Sequence, residues 1–343
     1  MGRRGDYQAK HFQFDLLSAA AFANNVPLLE SLIEKELRWQ GDTFGNPFLV
    51  ATMARNYEVL SLLFAAGDRK HLLCSSGRIY LLSKVAEKGD IEMVLHILQS
   101  GPDFLTEISS VPRKRGRTWP MRQIRCLLYT PSVEIFELMK KELESRKISH
   151  LNSPKWTLEI LIHAIRWGWV EMTRYLITFG ARLDLPQRNA GVTENALYWA
   201  CREGNDDIVE ALFDSGAQIC GSEVGIAASN GHTSVVKSLL EKGADVHATA
   251  SRNSLYGAAR KGYMDTTRVL LDAGMDPNTG DTPPLFGAIE SEHEGIFRLL
   301  VDRGADVAYV SPEARRQAEA AGLESMMALL GEYESQEHTE VLR

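Results

Sequence analysis

Residues 225–248, GIAASNGHTSVVKSLLEKGADVHA, contain a pattern that predicts the fold of the chain. The same frame recurs further along the chain in LYGAARKGYMDTTRVLLDAGMDPNT (255–279) and LFGAIESEHEGIFRLLVDRGADVAY (285–309). It also occurs before that stretch, in LIHAIRWGWVEMTRYLITFGARLDL (161–185) and ALYWACREGNDDIVEALFDSGAQI (196–219). Self-similarity with a period of roughly 20 to 50 residues is the signature of repeat proteins. The sequence therefore predicts an array of repeats.

Ten copies of this frame align on one anchor residue each, with a mean spacing of about 33 residues, which is typical of a helical repeat. The anchors are Asn24, Arg55, Gly89, Pro131, Gly168, Gly204, Gly231, Gly262, Glu292 and Gly322. Four positions before the anchor, eight of the ten residues are Ala, and eight positions after it all ten are apolar. Apolar residues at +4, +5, +8 and +9 share one face of a helix. Each repeat is predicted to be a helix, a tight turn and a second helix.

A glycine twelve positions after the anchor recurs in six of the ten copies. It is predicted to adopt a left-handed conformation that ends the second helix. The frame divides the chain into an N-terminal tail (1–14), degenerate repeats (15–150), well-matched repeats with a C-terminal capping repeat (151–331) and a polar tail (332–343). The degenerate part includes a long basic insertion at 102–120.

The run of Ala227–His232 and the Gly-Ala-Asp-Val runs at Gly243–Val246 and Gly304–Val307 resemble ankyrin repeats. The resemblance implies an all-α, ankyrin-type helical solenoid of about ten helix-turn-helix repeats with short hairpin-like links. It also implies a scaffold that binds other proteins through a concave face and hairpin tips. The family's Thr-Pro-Leu-His is nowhere intact, but Asn195 and Asn253 could cap their helices through a side-chain oxygen.

Composition narrows the classes of function. The chain has 343 residues, of which 44% are hydrophobic, and its net charge of −7 argues against binding along a phosphate backbone. No stretch reaches the roughly 18 apolar residues of a membrane span, and the N-terminus lacks the apolar core of a signal peptide. Four dispersed cysteines favour reduced thiols. We expect an intracellular monomer, cytoplasmic or nuclear, that uses no cofactor, metal, membrane or nucleic acid.

The candidate binding residues come from three columns of the first helices. Positions −5, −2 and −1 should face the concave side, because −4 and −3 face the neighbouring helices. Four of the six tryptophans lie between residues 156 and 199, and Trp and Arg are enriched in interaction hot spots. The predicted partner-binding residues are His163, Arg166, Trp167, Trp199, Arg202, Arg260 and Lys261. They suit a partner protein with an acidic or aromatic segment.

The basic insertion is a second candidate site. Its basic patch consists of Arg113, Lys114, Arg115 and Arg117. Three interpretations stay open: a nuclear-import signal, a patch for RNA or an acidic partner, and a solvated loop without a function of its own.

Two classes of function are compatible with the sequence. The first is a protein-interaction scaffold, which the repeats favour because they occupy nearly the whole chain. The alternative is an enzyme that uses the concave groove as a pocket for a small anionic substrate, with His163, Arg166 and Arg202 acting on it. The common catalytic signatures HExxH and GxSxG do not occur, nor does a Gly-rich phosphate loop. We therefore predict no catalytic residue, and cysteines such as Cys201 are assigned to the core.

The first testable prediction concerns the insertion. Deleting 113–117 should leave the melting temperature nearly unchanged, because a strongly basic segment with few apolar residues contributes little to a core. Thermal unfolding followed by circular dichroism measures this directly. A collapse in thermal stability would show that the run is structural, and the import and patch hypotheses would lose their basis.

Overall fold

The computed structural model describes residues 16–34, 46–70, 75–100, 128–145, 154–184, 195–248 and 251–341. No β-strand occurs in these ranges, and helices form the regular structure. The all-α class predicted from the sequence is therefore confirmed. The chain divides into two compact units, Met1–Ile160 and Leu161–Arg343.

The first six described helices of the first unit form three pairs, each joined by a tight turn, and a seventh helix follows them. They are α1 (16–22), α2 (Val26–Glu34), α3 (Pro47–Met53), α4 (Tyr57–Lys70), α5 (Ser75–Glu87), α6 (Ile91–Gln99) and α7 (Val133–Ser145). The next helix, α8 (Pro154–Arg166), contains the boundary between the units.

The second unit continues the same alternation of first and second helices. Its further helices are α9 (Val170–Thr178), α10 (Ala196–Glu203), α11 (Asp206–Asp214), α12 (Glu223–Ser229), α13 (Thr233–Glu241), α14 (Ser254–Arg260), α15 (Met264–Asp272), α16 (Pro284–Glu290), α17 (Glu294–Asp302), α18 (Val307–Ala321) and α19 (Glu324–Val341). No described helix combines the length and the apolar character that a membrane crossing requires.

The core occupies the columns that the repeat frame assigns to it. All ten side chains at position +8 are buried, and Leu239 and Leu270 among them are 0% exposed. The eight alanines at position −4 are buried as well, as is Val85 in the same column. Leu127, the tenth member of that column, lies outside the described residues. Burial therefore follows the predicted register along both units.

Two left-handed residues shape each well-matched repeat. The predicted glycine stop at +12 is confirmed at Gly180, Gly216, Gly243, Gly274 and Gly304, which all have a positive φ. The anchor residue itself is left-handed too in these repeats, a feature that the column pattern did not predict. An L-residue with a side chain is strained in this conformation, so glycine is favoured at both positions.

The anchor glycines also make room for the next repeat. A Cβ built on Gly204 would lie 2.2 Å from the His232 ring, and one built on Gly231 would lie 2.7 Å from the Tyr263 ring. His293 approaches Gly262 in the same way. In these three cases the residue that follows one anchor packs its ring on the anchor glycine of the preceding repeat, whereas the residue that faces Gly168 is Asn205, which has no ring.

Three of the four anchors that carry side chains are left-handed, and at Arg55 the neighbouring side chain is also different. Asn24, Arg55 and Glu292 have φ values of 54°, 58° and 54°. The residue that faces Arg55 from the next repeat is Asp90, and Arg55 Nε donates to its carboxylate at 2.7 Å. This bond lowers the pKa of Asp90 and raises that of Arg55. At this turn an ion pair therefore replaces the contact that a ring makes with the anchor glycine in other repeats.

One of the two predicted helix caps is present. Asn195 accepts from the Leu197 backbone N–H at 2.7 Å, as expected. The prediction for Asn253 is wrong: its side chain makes no cap bond. Asn253 Oδ1 instead accepts from Asp281 N–H at 2.9 Å, and its amide donates to the Asp281 carboxylate at 3.0 Å. Its backbone, at φ −99° and ψ 10°, also lacks the extended conformation that a capping residue needs.

The core register leads to a stability prediction. Replacing Leu239 or Leu270 by Ala should lower the free energy of unfolding by about 2–5 kcal/mol, because a fully buried side chain leaves a cavity. Urea unfolding measures the change. The control is Leu95→Ala, since Leu95 is 37% exposed and should change stability by no more than about 0.5 kcal/mol. Equal effects at the buried and exposed positions would contradict the register.

A second stability prediction separates strain from contact at the glycines. Gly204→Ala should destabilise the protein more than Gly180→Ala. Both carry a positive φ, but a Cβ at Gly180 meets no atom within 4 Å, whereas at Gly204 it meets His232. Left-handed strain costs about 1–2 kcal/mol in either variant. Displacing His232 should add roughly 1 kcal/mol through its lost hydrogen bond. Equal unfolding free energies would show that the ring contact contributes nothing.

Candidate functional site

The first-helix face of the second unit is defined as columns −5, −2 and −1 of its first helices. It is most exposed in columns −2 and −1, whereas His163 and Trp199 in column −5 are half-buried and Gly287 is buried. Arg166, Trp167, Arg202, Arg260 and Lys261 are exposed. The residues at −4 and −3 on the same helices are buried. The 3.6-residue period thus separates a core side from a solvent side on each short helix.

The centre of this face is the Trp–Arg patch, formed by Arg166, Trp167, Trp199 and Arg202. The guanidinium carbon of Arg166 lies 4.7 Å from the centroid of the Trp199 ring, and that of Arg202 lies 4.9 Å from it. Both distances are within the range of cation–π interactions. One half-buried indole on α10 therefore holds two guanidiniums, one from its own helix and one from α8.

An aromatic cluster adjoins the patch. The His163 ring lies 6.0 Å from the Trp167 ring and 5.4 Å, edge to face, from the Trp169 ring. Trp167 and Trp169 are stacked with centroids 6.3 Å apart. Trp167 remains 59% exposed. A large apolar ring that is held by its neighbours and still faces solvent is suited to contact another molecule.

Local structure positions the patch. Asn195 caps α10, and Gly204 ends it in a left-handed conformation with its N–H donating to the Ala200 carbonyl. His232 of the next repeat then contacts the Arg202 carbonyl through Nε2 at 3.0 Å. Because a carbonyl can only accept, Nε2 is the donor. The helix end that carries Arg202 is thus fixed from both sides.

The thiol pKa values of the two described free cysteines are both raised. Cys201 is 0% exposed, and burial, followed by the nearby Glu223 carboxylate, raises the pKa of its thiol. The pKa of the Cys220 thiol is raised by the same two causes. Nucleophilic thiols need a lowered pKa. The assignment of Cys201 to the core is confirmed.

Arg260 and Lys261 lie on α14 and are engaged within the chain. Arg260 Nε is 3.7 Å from the Glu290 carboxylate, and Lys261 Nζ donates to the Ser229 carbonyl at 2.6 Å. Of the seven predicted binding residues, the structure therefore groups five, namely the four of the Trp–Arg patch and His163 beside it. Arg260 and Lys261 lie apart from this group. Column −5 holds Trp199 on α10, but it holds Gly257 on α14 and Gly287 on α16.

The four residues of the basic patch lie outside the described residues. Within the described ranges, no group of three or more His, Cys, Asp or Glu side chains could hold a metal ion.

Comparison with known families agrees with the helix pairs and their left-handed turns. The family model described as "Ankyrin repeats (3 copies)" matches residues 130–222 and 224–310. These ranges together make up more than half of the chain. The chain belongs to the ankyrin-repeat family.

Individual ankyrin-repeat proteins match over shorter stretches. An ankyrin repeat-containing protein of Treponema pallidum is 30% identical over 139 residues, which is 37% of this chain and 46% of that protein. The ankyrin repeat and KH domain-containing protein mask-1 of Caenorhabditis elegans is 33% identical over 148 residues, 39% of this chain and 6% of that protein. The Neurogenic locus Notch protein of Drosophila melanogaster is 37% identical over 73 residues, 20% of this chain and 3% of that protein. The chain thus spans less than half the length of each.

Two aromatic residues of the ankyrin site were missed by the column argument. Trp169 lies one position after its anchor and so outside the three columns, and Tyr198 packs edge to face on Trp199 at 5.9 Å. The +1 position is on the turn rather than on the first helix. Its repeated use of large side chains was the sequence signal that could have placed Trp169 beside the face.

Proposed function

We propose that this ankyrin-repeat protein binds another protein through the first-helix face of its second unit, with the Trp–Arg patch at the centre. The observation that carries the proposal is the exposure of Trp167, at 59%, directly after Arg166, whose guanidinium lies over the Trp199 ring together with that of Arg202. Ankyrin repeats are generally protein-interaction scaffolds. In this chain, the patch is the described part of the face with the composition of an interaction hot spot.

A partner that binds this face would gain free energy in two ways. Burying the exposed part of Trp167 removes apolar area from water, a gain of roughly 25 cal/mol per Å². The ring contacts with His163 and Trp169 already restrict its rotamer, so little side-chain entropy is lost on binding. Arg166 and Arg202 are likewise held against Trp199. Such preorganised aromatic and Arg side chains favour binding.

The partner would present an acidic or an aromatic segment, and the hairpin tips would extend the contact on a concave surface. The protein would act as a monomer, because the repeats themselves supply the face. We place its action inside the cell, in the cytoplasm or the nucleus. The free thiols of Cys201 and Cys220 support this placement.

Removing the exposed ring should weaken binding without unfolding the protein. Trp167→Ala, alone or combined with Trp199→Ala, should reduce the affinity for the partner by ~2 kcal/mol or more, which is about 30-fold. Loss of the solvent-facing Trp167 should change stability by less than about 0.5 kcal/mol. The immobilised chain captures the partner from an extract of its native cells, and the purified pair is then titrated calorimetrically.

Phe179→Ala is the matched control, since Phe179 is an aromatic residue at the end of α9 and is 37% exposed. It should leave the affinity within twofold. If Phe179→Ala and Trp167→Ala weakened binding equally, the loss would not come from the patch. If the tryptophan variants unfolded while the folded fraction kept full affinity, both rings would be core, and the binding surface would lie at the hairpin tips.

A further inference from the structure

We infer that the Trp–Arg patch selects an extended acidic segment whose two carboxylates are two residues apart, one for Arg166 and one for Arg202. The inference rests on the proposed function and goes beyond it. It names the charge, the spacing and the conformation of the partner segment, and it excludes a neutral aromatic segment as the primary determinant.

The two guanidiniums of the patch have no counter-charge within the described residues. Arg166 and Arg202 have no carboxylate oxygen within 4.0 Å there, although most described arginines do. Arg260 is the telling comparison, because it occupies the same column on α14 and pairs with Glu290. An arginine in this column can therefore form an intramolecular ion pair, but Arg166 on α8 and Arg202 on α10 form none within the described residues.

Stacking on an indole leaves the guanidinium able to bind an anion. The guanidinium carbons lie over the Trp199 ring, and the five N–H donors of an arginine lie in the guanidinium plane and point outwards from it. A carboxylate can then accept two parallel hydrogen bonds from one edge. The ring also fixes the direction of both donor sets before a partner arrives, which lowers the entropic cost of binding.

The upper limit on the spacing accommodates an extended chain. Both guanidinium carbons lie close to the same ring, at 4.7 and 4.9 Å from its centroid, so they are separated by roughly 10 Å at most, or three extended residues at about 3.3 Å each. In a strand, residues i and i+2 point to the same side and lie about 7 Å apart. Two acidic residues in this arrangement can reach one guanidinium each.

The charge around the Trp–Arg patch supports an anionic partner segment. The chain as a whole is acidic, with a net charge of −7, but the patch itself brings two cations together. Glu203 follows Arg202 and is exposed, and its carboxylate forms no ion pair with either guanidinium. Two like charges that share one ring repel each other, and an anionic partner relieves that repulsion. The surrounding negative charge disfavours acidic ligands elsewhere on the protein, which adds selectivity for this place.

The test is a selection from a phage-displayed library of random 12-residue peptides, carried out on the immobilised full chain. Three proteins are compared: the wild type, R166A/R202A, and the charge-matched control R174A/R268A. Arg174 and Arg268 are exposed on α9 and α15 and also have no carboxylate within 4.0 Å in the described ranges, so the control removes the same charge away from the patch. The selected peptides are synthesised, and their dissociation constants are measured by fluorescence anisotropy at low and at physiological salt.

The wild type and R174A/R268A should both enrich peptides with Asp or Glu at positions i and i+2. R166A/R202A should bind these peptides at least tenfold more weakly, and so should the wild type when both acids are changed to Gln or Asn. Added salt should weaken the wild-type interaction, because the contacts are ionic. Selection of neutral or basic peptides, absence of any acidic enrichment, or equal affinity of acidic peptides for R166A/R202A would each overturn the inference.

The natural partner distinguishes failure of this inference from failure of the proposed function. If W167A/W199A loses the partner while R166A/R202A retains it fully, the face binds protein and the acidic specificity is wrong. If W167A/W199A retains the partner, the proposed function itself fails. Loss of the partner in both double variants, with retention by R174A/R268A, supports the proposed function and the inference together.

Discussion

The contact between an anchor glycine and the ring of the next repeat is the constraint on which the second unit depends. Gly204, Gly231 and Gly262 combine a left-handed backbone with the absence of a Cβ, and the rings of His232, Tyr263 and His293 take up the space. A side chain at these anchors would be strained by the backbone and would collide with the ring. Because each contact joins one turn to the next, it sets the spacing and the rotation between successive repeats.

The candidate site follows from the same stacking of turns, although Gly168, the anchor of the repeat that carries Arg166, faces Asn205 rather than a ring. Once the turns are stacked, the alanines at −4 bring the first helices together and the residues at −2 and −1 are left in solvent. Arg166 and Arg202 both occupy column −2, so adjacent repeats place both on Trp199. His232 belongs to the turn stack and also holds the Arg202 carbonyl. The contacts between successive turns thus determine both the core and the orientation of the exposed arginines.

The sequence predicted burial and exposure, which depend on helical periodicity. It could not predict which of several neighbouring groups a polar side chain bonds to. Burial at +8 and −4 and exposure at −2 and −1 follow from 3.6 residues per turn, and these predictions are confirmed. Asn253 could have capped its own helix or bonded to the following loop, and only the position of Asp281 decides between them. The engagement of Lys261 with the Ser229 carbonyl likewise depends on the distance between two repeats. Trp169 was missed because its place beside Trp167 arises at the turn and not on a helix face.

The most direct test of the repeat register and of the site built on it is the magnetic environment of the two arginines. In a chain labelled with ¹³C only at arginine, the side-chain resonances of Arg166 and Arg202 should be shifted by the ring current of Trp199. Both shifts should vanish in Trp199→Leu, while the resonances of Arg174 and Arg268 should stay in place. Ordinary solvent-exposed chemical shifts for Arg166 and Arg202 in the wild type, unaffected by Trp199→Leu, would show that the first helices do not bring these side chains together.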